Sequence, residues 1–167
     1  LSRSKLRIVN TCDEHGAGFA ADAYARVRGL GAVCVTYCVG GFNLCNSVAE
    51  AFAEKSPVVV ISGSPGLAER AKNSFIHHRV GSFDTQKEVF AKITVASTVL
   101  EDRLTAFREI DRVLGEAVRR KGPVYIELPR DMVDSQPLYE HRPALVRPLS
   151  DRQTLDEALA DVEQMVA

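Results

Sequence analysis

The sequence predicts an α/β fold, a parallel β-sheet that carries helices on both of its faces. The first indication is that apolar, β-branched runs alternate with amphipathic helical patterns, with short Gly and Pro segments between them. The second is Pro57–Gly63, an almost continuous apolar run of the kind found in strands buried on both faces of a parallel sheet. A chain of 167 residues is long enough for one such domain with its own core.

The elements follow one another in the order expected of such a sheet. Strands are predicted where β-branched residues run together, and helices where apolar residues recur at helical spacing. Gly122 and Pro123 mark the end of the longest helix. The predicted strands are Leu6–Cys12, Ala32–Cys38, Pro57–Gly63, Ile93–Val99 and Val124–Leu128, and the predicted helices are Glu14–Arg28, Leu44–Glu54, Thr85–Ala91 and Leu104–Arg120.

The C-terminal part of the chain has a different texture. Residues 134–150 are polar and rich in proline and have no periodicity, which is typical of a linker. Asp151–Ala167 has the pattern of one amphipathic helix. We interpret residues 1–133 as one domain and residues 151–167 as the start of a following domain, or alternatively as a helix that docks on the first. Since the chain begins at Leu1 and ends inside a helix, we expect it to be a piece of a longer protein.

The composition argues against several classes of function. A formal net charge of -1 provides no field that would attract nucleic acid or an anionic membrane surface. No apolar run approaches the roughly 20 residues that span a bilayer. The four cysteines lack metal-ligand spacing, and we interpret them as buried free thiols of a cytoplasmic protein. They are Cys12, Cys34, Cys38 and Cys45.

Three segments leave predicted strands at the carboxyl edge, where open α/β sheets bind their ligands. In the first segment, Thr11 and Glu14 have the spacing of a capping box, which would be a structural role. The other interpretation is a carboxyl group at the mouth of the sheet, with a pKa raised by partial burial so that it exchanges a proton near neutral pH. Both roles remain open on spacing alone.

The other two segments contain paired glycines and paired histidines. Gly40 and Gly41 predict a tight turn that allows flat contact with a ring, but they lack the spacing of a phosphate-binding loop. His77 and His78 project in different directions, and no acidic residue or cysteine joins them at ligand spacing, so they do not predict a metal site. They are either proton-transfer or substrate-orienting groups, or an exposed pair in a loop.

These segments belong to longer stretches that resemble the pyrimidine-binding domain of thiamine-diphosphate enzymes, and most of all the pyruvate, indolepyruvate and phenylpyruvate decarboxylases. The stretches follow the family's order and spacing over nearly all of the chain up to Val133, and the paired histidines point to the decarboxylase branch. The matching stretches are CDEHGAGFAADAYARVRG (Cys12–Gly29), VTYCVGGFNLCNSVAEAFAEKSPVVVISGSP (Val35–Pro65), IHH (Ile76–His78) and GPVYIELPRDMV (Gly122–Val133).

The resemblance implies a role for each matching residue. Glu14 takes the place of the glutamate that faces N1′ of the cofactor's aminopyrimidine and favours the imino tautomer that activates the cofactor. His77 and His78 match the histidine pair that serves the substrate carboxylate and later proton transfers. Positions that line or shape the pyrimidine pocket correspond to Thr36, Gly40 and Asn46.

The resemblance also implies what the whole protein does and needs. The reaction is the non-oxidative decarboxylation of a 2-oxo acid to an aldehyde, with thiamine diphosphate and Mg²⁺ as cofactors. In this family a C-terminal domain holds the diphosphate and the Mg²⁺, and it meets the pyrimidine domain of another subunit in a homodimer or homotetramer. The family's first strand, and a loop with an acidic active-site residue, would precede Leu1. We therefore expect this chain to be inactive alone.

Three rival interpretations remain. An acetolactate-synthase-like carboligase shares the glutamate, but such proteins typically have Gly-Gln where this chain has Gly63-Ser64, and they lack the double histidine. A non-catalytic subunit-association module would use a helix face of small residues. A nucleotide-binding domain fits the fold but has no fingerprint in the sequence. The small-residue face comprises Ala17, Ala21 and Ala25.

Overall fold

A computed structural model describes residues 5–73, 75–138, 140–142 and 150–167. Its four strands form one parallel sheet in the order β1-β2-β4-β3. The strands are β1 (Gly31–Val35), β2 (Val58–Ser64), β3 (Ala96–Val99) and β4 (Val124–Pro129). The helices are α1 (Glu14–Arg28), α2 (Val39–Phe42), α3 (Cys45–Ala53), α4 (Leu67–Ala71), α5 (Thr85–Ile93), α6 (Ala106–Arg120) and α7 (Arg152–Val166), and a 3₁₀ turn spans Arg130–Met132.

Helices cover both faces of this sheet, as the sequence predicts. On one face, α1, α3 and α5 pack against β1, β2 and β4 around a core that contains Val33, Val60 and Phe90. On the other face, α6 packs against β2 and β4 through Val113 and Ala117. The two central strands are therefore buried on both sides, which explains the continuous apolar run at the start of β2.

The predicted first strand does not form. Leu6–Cys12 is irregular and exposed, and within the described residues β1 pairs on one side only, with β2. A strand needs a neighbour for its backbone N–H and C=O groups, and solvation of those groups is the alternative. The segment has the apolar pattern of a strand, but the prediction of a strand is wrong for this chain.

The small residues of α1 serve the core of this chain. Ala21 and Ala25 are buried against α3 and β1, and Ala17 packs beside them. Gly18 allows close contact, because a Cβ atom there would lie 2.0 Å from Ser47 Oγ on α3. The prediction that the alanines form a subunit-association face is therefore wrong, since that face is already occupied within the domain.

The opposite side of α1 is apolar and exposed. Phe19 is 36%, Tyr24 57% and Val27 82% exposed. Beyond this helix, the irregular segment that contains Leu6 and Val9 also leaves apolar side chains in solvent. Phe19 is the member of this set nearest in sequence to Glu14, where α1 begins, whereas Val27 lies almost at the end of the helix.

The cysteines are less buried than the sequence predicts. Cys38 is buried and Cys45 is half-buried, but Cys12 and Cys34 are exposed. Cys34 points away from the core because alternate residues of β1 face opposite sides of the sheet, and none of the described helices covers that side of β1. All four are free thiols.

Within the described residues, the C-terminal segment contacts the domain through His141. His141 Nε2 lies 3.0 Å from Asp111 Oδ2, and its ring packs against Phe107 on α6. Much of the predicted linker, residues 139 and 143–149, lies outside the described residues. The predicted helix forms as α7, every residue of which is exposed, and its assignment to a following domain stays a prediction. In the described part of the chain, no helix is long and apolar enough to span a membrane.

Candidate functional site

Glu14 is free of the capping role that its spacing allowed. The N-cap of α1 is Asp13, whose Oδ1 accepts a hydrogen bond from the Gly16 N–H at 2.7 Å. Thr11 Oγ1 donates to the Asp13 carbonyl at 2.6 Å and so supports the cap. The capping box between Thr11 and Glu14 does not form, because a closer acidic residue satisfies the helix end. The Glu14 carboxylate is therefore available for other contacts.

That carboxylate reaches the turn after β1. Asn43 Nδ2 donates a hydrogen bond to Glu14 Oε2 at 2.9 Å. A Cβ atom on Gly40 would lie 2.9 Å from Glu14 Oε1 and 2.7 Å from Thr36 Cγ2, so only glycine lets the turn lie this close to both side chains. We call Glu14, Thr36, Gly40 and Asn43 the glutamate cluster. It joins the start of α1 to the carboxyl edge of β1, where the sequence predicts the ligand site.

The charge state of Glu14 differs from the prediction. The hydrogen bond from Asn43 lowers the pKa of Glu14 below its ordinary value, and burial opposes this only weakly because the carboxylate is exposed. The predicted increase in pKa is therefore wrong for the chain on its own. Glu14 is a carboxylate at neutral pH.

Asn46 lies beside this cluster and contacts a different side chain. Its Nδ2 is 3.4 Å from His15 Nε2, and the His15 ring packs edge-on against Phe19 at 4.9 Å. The hydrogen bond to Glu14 comes instead from Asn43, which the sequence analysis did not single out. The available signal was the position of Asn43, immediately after the Gly40-Gly41 turn.

Gly41 has a separate role from its neighbour. A Cβ atom there would lie 2.6 Å from Gln86 Nε2. The Gln86 side chain is fully buried, and its Nε2 donates to Ser62 Oγ and to the Tyr125 hydroxyl, both at 2.7 Å. Gly41 therefore lets the turn after β1 lie directly on a buried polar network at the ends of β2 and β4.

The paired histidines lie in the segment between α4 and α5. We call residues 75–84 the histidine loop. His77 and His78 are exposed, their ring centroids are 4.0 Å apart, and His78 has a left-handed backbone with φ 65°. His78 Nδ1 lies 3.1 Å from the carbonyl oxygen of Tyr37, the residue that follows Thr36 of the glutamate cluster. Both candidate groups therefore meet at the turn that follows β1.

The described residues offer no metal site, since no group of three or more His, Cys, Asp or Glu side chains among them is arranged to hold an ion. Tyr37, between the two candidate groups, has a buried ring, and burial raises the pKa of its hydroxyl to about 12. The chemistry that this edge of the sheet offers is thus one carboxylate with an orienting amide, together with two exposed imidazoles.

Comparison with known proteins connects this chain to one family. Residues 1–87 match the family described as thiamine pyrophosphate enzyme, N-terminal TPP binding domain. An indole-3-pyruvate decarboxylase of Azospirillum brasilense is 52% identical over 124 residues, which are 74% of this chain and 23% of that protein. A pyruvate decarboxylase of Aspergillus parasiticus is 42% identical over 132 residues, 78% of this chain and 23% of the relative.

A plant relative aligns over more of the chain. Pyruvate decarboxylase 1 of Oryza sativa subsp. indica is 36% identical over 165 residues, 93% of this chain and 27% of the relative. The chain spans about a quarter of the length of these curated relatives.

Proposed function

The chain belongs to the family of N-terminal TPP-binding domains of thiamine pyrophosphate enzymes, and on this premise we propose that it supplies the cofactor-activating part of a 2-oxo acid decarboxylase. The observation that carries the proposal is the Glu14 carboxylate, which Asp13 releases from helix capping and Asn43 orients beside Gly40. A carboxylate held in this way at the carboxyl edge of a parallel sheet suits proton exchange with a ligand.

The glutamate cluster fits the aminopyrimidine ring of thiamine diphosphate. Because Gly40 has no side chain, the turn approaches Glu14 Oε1 closely, and a flat ring would lie against this backbone beside the carboxylate. Glu14 would exchange a proton with the ring, Asn43 would hold its carboxylate in place, and Thr36 would border the ring. When bound, thiamine diphosphate supplies the electron sink for loss of CO₂ from a 2-oxo acid.

Assembly is the step that would raise the pKa of Glu14. In this chain the carboxylate is exposed, and the Asn43 hydrogen bond keeps its pKa low. A ring and a second polypeptide that cover the carboxylate would remove water and favour the protonated form. We therefore propose that Glu14 exchanges protons near neutral pH only in the assembled enzyme, and that this chain is inactive alone.

The remaining part of the active site would come from outside this chain. The apolar side of α1, with Phe19, Tyr24 and Val27 exposed, lies beside Glu14 and suits a subunit contact. We propose a homodimer or homotetramer in which another subunit covers this side. Thiamine diphosphate would be held at its diphosphate end, through Mg²⁺, by a further domain of the longer protein.

The two histidines would act on the substrate. Exposed imidazoles are suited to holding the carboxylate of a 2-oxo acid and to moving protons near neutral pH. The relatives named for indole-3-pyruvate and pyruvate favour these two acids as first substrates to test. The histidine pair favours decarboxylation over the acetolactate-synthase-like carboligase reaction. The cytoplasmic location that the sequence indicates stays a prediction.

The test is Glu14→Gln in the full-length protein, assayed with thiamine diphosphate, Mg²⁺ and either 2-oxo acid. We expect kcat to fall by about a hundredfold or more, because the amide cannot exchange the proton. Aldehyde and CO₂ are the measured products, and circular dichroism checks the fold. The matched control is Glu50→Gln, which alters an exposed carboxylate on α3 that pairs with Arg26 and should leave kcat unchanged.

Two results would contradict the proposal. Unchanged turnover in Glu14→Gln would favour a non-catalytic association module. An acetohydroxy acid as the main product of the unaltered protein would favour the carboligase.

A further inference from the structure

One arginine holds together the elements around the histidine loop. Arg70, at the end of α4, is only 11% exposed at its side chain. Its guanidinium donates to the Phe83 carbonyl at 3.1 Å and lies 3.8 Å from Asp84 Oδ1, at the far end of the loop. It also donates to Glu101 Oε1 at 3.1 Å, in the segment after β3. The side chain of Arg70 thus binds α4, the helix that precedes the loop, to the loop's far end.

The partner that fixes Arg70 itself is a buried carboxylate. Glu127 on β4 is fully buried, and its Oε1 accepts a hydrogen bond from Arg70 at 3.1 Å. Its Oε2 accepts from the Tyr125 hydroxyl at 2.7 Å, and that hydroxyl accepts from Gln86 on α5. Because these groups lie in the sheet and its buried contacts, they anchor the guanidinium to the rigid part of the domain.

A second carboxylate, which follows β4 in the chain, fixes the start of α4. Asp131, just after β4, accepts hydrogen bonds from the backbone N–H groups of Leu67 at 3.0 Å and Ala68 at 3.3 Å. The short helix is therefore held at its start by Asp131 and at its end by Arg70. Its position relative to β4 is set from both sides.

A chain of contacts leads from Arg70 to the histidines. The Phe83 ring lies 4.3 Å from the guanidinium of Arg79, and Arg79 Nε donates to the Gly81 carbonyl at 3.1 Å. Arg79 directly follows His78, whose backbone is left-handed with φ 65°. Moving Phe83 would therefore move the segment that presents both imidazoles.

We propose that Arg70 is a positioning residue that, through its bonds to Glu127 and Phe83, fixes the histidine loop so that His77 and His78 face the substrate. Its effect on catalysis rests on the proposed function, whereas its effect on the loop does not. Arg70 contacts neither histidine, so it acts through the loop. A planar guanidinium is required, because it forks to Glu127, Glu101 and the Phe83 carbonyl at once.

The experiment is Arg70→Lys in the full-length protein, with two readouts. The lysine keeps a positive charge beside Glu127 but cannot bridge to Phe83 and Glu101. We expect faster backbone hydrogen exchange in residues 75–84, and a kcat for the 2-oxo acid lowered on the order of ten- to hundredfold, as for small misplacements of reacting groups. The affinity for thiamine diphosphate, which depends on Glu14, should change by less than about twofold.

Three further variants make the result specific. Arg119→Lys alters an exposed arginine that pairs with Glu116 on α6, and it should change neither exchange nor kcat. In a His78→Asn background, Arg70→Lys should cost less in kcat than in the unaltered protein, since one of the two groups it positions is gone. Arg70→Met combined with Glu127→Gln removes both partners of the ion pair and leaves no buried charge. This double variant should show the same decrease in kcat as Arg70→Lys.

Unchanged exchange in residues 75–84 would overturn the positioning role whatever the activity. An equal loss of kcat with and without His78 would also overturn it, because the effect would then be general. Loss of turnover in Glu14→Gln with full turnover in Arg70→Lys contradicts the positioning role alone. Full turnover in Glu14→Gln contradicts the proposed function, while the exchange measurement still decides the role of Arg70 in the loop.

Discussion

At the residue scale, two opposing effects set the charge of Glu14. The amide of Asn43 favours the carboxylate through a hydrogen bond, and burial would favour the protonated form. In this chain the amide prevails because water still reaches the carboxylate. The proposed proton exchange therefore requires that a ligand and a neighbour cover the carboxylate and exclude this water.

This balance predicts the effect of Asn43→Leu in the 167-residue chain. Removal of the amide should raise the pKa of Glu14 toward its ordinary value, because the lowering effect of its hydrogen bond is lost. Carboxyl ¹³C chemical shifts followed against pH measure the change. The control is Asn46→Leu, whose amide contacts His15, and it should leave the pKa of Glu14 unchanged. An equal shift in both variants would show that the hydrogen bond is not the cause.

The same balance has a consequence for acid stability. A carboxylate whose pKa is lower in the folded than in the unfolded chain stabilises the fold above the unfolded pKa, and this contribution is lost as the pH falls through the folded pKa. Asn43→Leu should therefore reduce the pH dependence of stability on the acid side. Unfolding midpoints measured from neutral pH downward provide a second check on the assignment.

The sequence pattern around Glu14 predicts its position at the start of a helix but not the residues that it contacts. The sequence places the residue at a helix start, and its spacing from Thr11 is compatible with a cap. That ambiguity could not be resolved, because Asp13 can cap the same helix and only the folded backbone decides between them. Asn43 was missed because its bond to Glu14 spans 29 residues and depends on how the turn after β1 meets α1.

At the element scale, α2 forms one wall of the candidate site because its glycines carry no side chains. Gly40→Ala adds a methyl group close to Glu14 Oε1 and Thr36 Cγ2 without an unfavourable φ. We expect the affinity of the full-length protein for thiamine diphosphate to fall by about tenfold, equivalent to about 1.4 kcal/mol. Titration calorimetry measures this affinity.

The matched control for that substitution lies on α6. Gly115 has no atom within 4 Å of an added Cβ, so Gly115→Ala should leave cofactor affinity unchanged. It should also stabilise the helix by about 0.5–1 kcal/mol, because alanine favours helix more than glycine does. Equal affinity in Gly40→Ala and the unaltered protein would show that the space beside Glu14 is not part of the cofactor site.

At the scale of the whole molecule, the sequence was sufficient for the parallel sheet but not for its outer edge. Period and composition identify β2, β4 and α6 because each is determined by its own buried face. The apolar segment Leu6–Cys12 has the same local signature, yet a strand also requires a hydrogen-bonding neighbour. The apolar pattern within a segment indicates which of its side chains favour burial. Whether the segment forms a strand, and which residues contact α1, depends on the neighbouring parts of the molecule.

That outer edge and the adjacent side of α1 predict how the 167-residue chain behaves in solution. Among the described residues the outer edge of β1 has no strand partner, and this edge and the exposed apolar groups on α1 favour self-association. We expect the sedimentation coefficient to rise over an approximately tenfold increase in concentration. Val27→Lys, at a position that is 82% exposed, should weaken the association, whereas Leu104→Lys, at an exposed position beyond β3, should not. If both lysine substitutions weaken association equally, the contact is not confined to α1. The apolar side of α1 would then not be the surface proposed for the subunit contact.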